Sequence, residues 1–136
     1  MSQQHWRADW IPLILVLALV CGACSRTDQK LEQQRDELKS VAASTAAIVD
    51  AWLAGSTSGT FTTTALEQMF LLLEKLRRAL AAAPTTLVDQ RAAELSQAAE
   101  ALARLLAAMM HDVRGADARA VREHLSEVHS IGSASR

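Results

Sequence analysis

The chain has 136 residues, half of them apolar, with 14 basic against 15 acidic side chains and a formal net charge of −1. That length holds one domain with a modest core, and the mixed charge lacks the basic face of a nucleic-acid-binding protein. Gly (five) and Pro (two) are too scarce for a turn-rich β fold, and the abundant Ala points to helices that approach closely while burying little area at each contact.

The first ten residues are polar, with Arg7 offset by Asp9. Ile11 to Val20 is then an unbroken apolar run, followed by Cys21-Gly22-Ala23-Cys24 and an abrupt change to polar sequence at Ser25. A helix from Trp10 to Ala23 would be about 21 Å long at ~1.5 Å per residue, short of the ~30 Å hydrocarbon core. Those proportions are of a signal peptide rather than of a spanning helix.

Val20-Cys21-Gly22-Ala23-Cys24 resembles the lipobox of bacterial lipoproteins. The resemblance implies acylation of the Cys24 thiol, cleavage between Ala23 and Cys24, and acylation of the new amino group. Cys21 stands where the family usually has Leu, and the leader is less basic than is usual there. Ser25 after the cysteine, rather than Asp, resembles lipoproteins sent to the outer membrane of a Gram-negative cell. An ordinary leader cut after Ala23 and an uncleaved amino-terminal anchor are the alternatives. Two or three acyl chains anchor a protein stably, one only marginally. A redox reading of Cys21 and Cys24 as C-x-x-C lacks the strand and helix start that such a site needs.

Four segments then repeat apolar residues at alternating three- and four-residue steps, which places them on one helical face. The first, residues 28–54, carries Leu31, Gln34, Leu38, Val41, Thr45, Ile48 and Trp52. The second, residues 65–82, carries Leu66, Met69, Leu73, Leu76 and Leu80, with Leu71 and Leu72 widening the arc, either because this helix is central and touches two neighbours or because it exposes a patch for an envelope partner. The third, residues 87–113, carries Ala92, Leu95, Ala99, Leu102, Leu106, Met109 and Val113, and the fourth carries Ala118, Val121, Leu125 and Val128. Gly55 and the Ser/Thr run after it read as a loop, with Thr64 and Glu67 as a capping box at the start of the second helix. Pro84 stops that helix, and Thr86 and Asp89 offer a start for the third. Gly115 closes the third in the left-handed conformation, and Asp117 caps the fourth.

The expected fold is all-α, a small antiparallel three- to four-helix bundle with an amino-terminal, membrane-proximal helical stalk. Residues 1–23 are the signal peptide, 24–40 the lipidated amino terminus and stalk, 41–131 the bundle, and 132–136 a frayed tail. Its core is expected at Leu38, Val41, Ile48, Trp52, Leu66, Met69, Leu73, Leu76, Leu80, Leu95, Leu102, Leu106, Met109, Val113, Val121 and Leu125.

Chemical signatures are weak. His124 and His129, five apart, point about 140° from one another on a helix and cannot share an ion. Met109-Met110-His111 offers soft ligands, but Met109 lies on the core stripe and His111 reads as a cation near a helix end. Glu74 with Arg78 and Glu100 with Arg104 are helix-surface pairs. The expectation assigns no catalytic residue, no metal site and no cofactor. It is of a non-enzymatic cell-envelope lipoprotein, held at the outer membrane facing the periplasm by lipid on Cys24, that binds a protein partner or supports an envelope assembly, and that binds no nucleic acid. A carrier of a lipid or small apolar ligand, using Met69, Phe70, Leu73, Leu106 and Met109, is the alternative.

Overall fold

The computed structural model describes the backbone of residues 10–82 and 90–134, with side chains from Arg26 onward. The described residues form four helices and no strand: α1 (Trp10–Leu53), α2 (Gly59–Ala81), α3 (Gln90–Arg114) and α4 (Ala118–Ala134). The chain divides into two compact units, residues 1–33 and 34–136. In the first, side chains 26–30 are exposed and Leu31 is half-buried. The second is an all-α bundle.

The bundle unit opens at Gln34, two turns before the Val41 expected from sequence, because Gln34 and Leu38 are both buried. The rest of the α1 seam is Val41, Ala42, Thr45, Ala46 and Val49. Ile48, expected in the core, is half-buried, and Val49 takes its place. A stripe drawn at 3.5 residues per turn lags a real helix of ~3.6, so the covered face drifts by about 20° per heptad. Trp52, a turn further on, is likewise half-buried.

Backbone geometry closes α1 as its glycine foretells. Gly55 sits at φ +73°, its N–H donates to Trp52 O and the Ser56 N–H donates to Ala51 O, both at 2.9 Å. Those paired bonds are a Schellman motif, with the glycine in the left-handed position.

α2 starts earlier than the Thr64 capping box implies. Ser58 is the N-cap: its Oγ accepts from the Phe61 N–H at 3.2 Å, and its carbonyl accepts from the Thr62 N–H at 3.0 Å. Thr64 instead donates its hydroxyl back to Thr60 O, one turn inside the helix. Thr62 extends the Leu66–Met69–Leu73–Leu76–Leu80 stripe by one turn and is fully buried. Its hydroxyl is matched by that of Thr57 at 3.0 Å, so the residue packs much as valine would. Leu66, Leu73 and Leu76 are buried, whereas Met69 and Leu80 are half-buried at the flank. Pro84, Thr86 and Asp89 lie outside the described residues.

α3 packs against both α2 and α4. It buries Leu95, Ala99, Leu102, Ala103, Leu105, Leu106, Met109 and Val113, two faces' worth of side chain on one helix. Its last residue reaches the third turn of α2 through Arg114 and Glu67, 3.0 Å apart, so the two helices run antiparallel. Its end differs from the expected one. Asp117 N–H donates to Asp112 O at 2.9 Å and Ala116 N–H to Val113 O at 3.2 Å, which makes Ala116, not Gly115, the left-handed residue, at φ 55°. Gly115 stands one position too early for the freedom it offers.

Asp117 then caps α4, its Oδ1 accepting from the Ala120 N–H at 3.0 Å. Val121, Leu125 and Val128 are buried against the bundle. The helix continues to Ala134, past the Gly132 at which sequence suggests fraying. A Cβ placed on Gly132 would lie 3.9 Å from that of Ala42, so the end of α4 rests against the small-residue stretch of α1.

Candidate functional site

The side chains of Ala23 and Cys24, the expected cleavage and lipidation positions, lie outside the described residues. Among the described residues no helix is long and apolar enough to cross a membrane.

The Met109-Met110-His111 run is split by helix geometry. Met109 is fully buried, Met110 half-buried and His111 exposed, so the three do not converge. Among the described residues no group of three or more His, Cys, Asp or Glu could hold a metal ion. His124 is half-buried and faces the end of α3. Its Nε2 lies 3.2 Å from Asp112 Oδ2, tying α4 to the last turn of α3, while its Nδ1 is buried without a partner. This pair joins residues on two helices and has no sequence signature.

The surface of α2 is where apolar chemistry faces outward. Phe61, Leu71 and Leu72 are 61%, 60% and 43% exposed. Phe61 and Leu72 are eleven residues apart, which at ~100° per residue returns the helix to within about 20° of the same direction. Leu71 lies on the adjoining edge. α2 thus keeps part of its wide apolar arc uncovered, while α3 packs against both α2 and α4. Lys75 and Arg78 stand one and two turns beyond Leu71 on the exposed side, and neither has an ion-pair partner among the described residues. Glu74 is engaged by Arg77 rather than by Arg78. Apolar and cationic groups thus adjoin on one helix.

No protein-family model, curated protein or solved structure matches the chain.

A second feature lies at the end of the bundle where α2 begins and α3 ends. An open cleft of about 490 Å³ separates Gly59, Thr60, Thr63 and Glu67 of α2 from Val113 and Arg114 of α3. Thr63 is 8% exposed and its hydroxyl has no hydrogen-bond partner. Periodicity alone misses the cleft, since its residues come from the Ser/Thr run and from a helix end 50 or so residues on.

Proposed function

We propose that the protein is a membrane-anchored cell-envelope lipoprotein, acylated on Cys24, whose bundle is a non-enzymatic module for docking a protein partner. The observation that carries the docking role is the uncovered α2 face, with Leu71 and Leu72 beside unpaired Lys75 and Arg78 and with Phe61 about three turns nearer the start of the helix. Large side chains gain roughly 1.5–3 kcal/mol each on full burial, so leaving three of them in water on one helix is a cost that a partner would remove. The partner that suits the face is an apolar helical stripe flanked by carboxylates, which would meet both the leucines and the two cations. The anchor is supported by the lipobox-like leader, and it would hold the bundle close to envelope components.

The test has two arms. Cys24→Ala should abolish acyl labelling and release the protein from membranes; retained labelling would place the lipid elsewhere. A photo-crosslinker at position 72 should trap one stoichiometric protein in the native cell, and a second one at exposed Arg122 on α4 should not. Equal yields of that species from both positions would refute docking through α2.

A further inference from the structure

We propose that the cleft between the start of α2 and the end of α3 is a binding site for a small oxyanion, a phosphate or carboxylate group. The inference is independent of the membrane anchor and of the outer face of α2.

Hydrogen-bonding capacity at this end of the bundle is unbalanced. Three carbonyls of the last turn of α3 are satisfied: His111 O, Asp112 O and Val113 O accept from Gly115, Asp117 and Ala116. The first turn of α2 is only half closed. Ser58 takes the N–H groups of Phe61 and Thr62 with its hydroxyl and carbonyl, which leaves those of Gly59 and Thr60 with no acceptor among the described residues. Those two donors remain unmet beside the cleft, at the end of a helix whose dipole favours negative charge.

Two side chains point the same way. Thr63 lines the cleft one turn after Gly59 and Thr60, buried, with its hydroxyl unpaired. A buried hydroxyl without a partner is costly, and threonine in a helix populates two χ1 rotamers, so a change of rotamer can present it to a ligand. Arg114 supplies the positive charge. One of its Nη atoms holds Glu67 Oε1 at 3.0 Å, a pair half-exposed to water and therefore readily exchanged for a stronger acceptor. Glu67 is then the internal competitor: it occupies the guanidinium while the cleft is empty and sets a threshold for binding. The volume, about 490 Å³, matches the ~300–1,000 Å³ of small-molecule sites, so the oxyanion can be one end of a larger polar molecule.

The experiment uses the full-length protein, ¹⁵N-labelled in a neutral maltoside detergent. Inorganic phosphate is titrated against sodium chloride of equal ionic strength, and a parallel arm adds phosphatidylglycerol to the micelles. The Gly59 and Thr60 amide resonances should move saturably with phosphate and not with chloride. Arg114→Gln should weaken the response about tenfold, through loss of a charge-assisted bond. Thr63→Val, which keeps shape and fold, should weaken it about threefold or more, and Glu67→Gln should strengthen it. A response to phosphatidylglycerol in place of inorganic phosphate would assign the oxyanion to a lipid headgroup and also supports the site. No saturable response to either source overturns the proposal, as does a response undiminished in both Thr63→Val and Arg114→Gln while circular dichroism shows them folded.

Discussion

Exchanging the two residues at the end of α3, Gly115→Ala with Ala116→Gly, should stabilise the bundle by about 1–2 kcal/mol. Ala116 holds φ 55° in a Schellman motif, a conformation that costs an L-residue roughly 1–2 kcal/mol. Glycine removes that strain but returns ~0.4–1 kcal/mol through a freer unfolded chain, leaving a gain of about 0.5–1 kcal/mol. Position 115 has no such strain. A Cβ there would meet Asp112 O at 3.6 Å and His111 O at 3.7 Å, ordinary contacts, so alanine fits and gains ~0.4–1 kcal/mol by restricting the unfolded chain. For a bundle of about 100 residues, each kcal/mol raises Tm by roughly 4–8 °C, so the exchange should add about 4–16 °C in a thermal melt followed by circular dichroism. Gly55→Ala is the control. Nothing lies within 4 Å of the added methyl, yet φ +73° makes it destabilising by about 1 kcal/mol or more. If the exchange leaves Tm unchanged or lowers it, or if Gly55→Ala is neutral, the assignment of the left-handed position at these helix ends is wrong.

Three further outcomes are expected. Leu73→Ala should cost about 2–5 kcal/mol in urea denaturation, since Leu73 is fully buried, whereas Leu71→Ala, on the exposed face of the same helix, should stay within about 0.5 kcal/mol. Ser58→Ala should lose ~1 kcal/mol as the N-cap of α2, and Thr64→Ala should lose no more than a few tenths in the same assay. Thr45→Val should gain about 1 kcal/mol by deleting a buried hydroxyl that has no partner; a loss of that size would mean the hydroxyl is satisfied in solution.

Much of this architecture is written in short-range pattern. Alternating three- and four-residue apolar steps mark α2, α3 and α4 because side-chain direction repeats with the turn of a single helix. Gly55 and Asp117 announce an end and a start for a similarly local reason: left-handed backbone and carboxylate caps act on amides within a turn. Where local signals compete, reading fails. The Ser/Thr run before Thr64 has the composition of a loop, but Thr62 finds the Thr57 hydroxyl and a buried slot, so a helical turn forms there. Gly115 advertises a left-handed residue, yet the bonds of Ala116 and Asp117 put it one position later.

Sequence alone determined that the chain would be helical, roughly where its helices break, and which leucines head their stripes. Tertiary packing decided what no single helix can encode: that α3 packs against both α2 and α4, that Leu71 and Leu72 stay in water, that Val49 displaces Ile48, and that His124 meets Asp112. The division has one cause. Periodicity fixes the direction in which a side chain leaves its own axis, whereas burial and pairing depend on whether another axis lies in that direction.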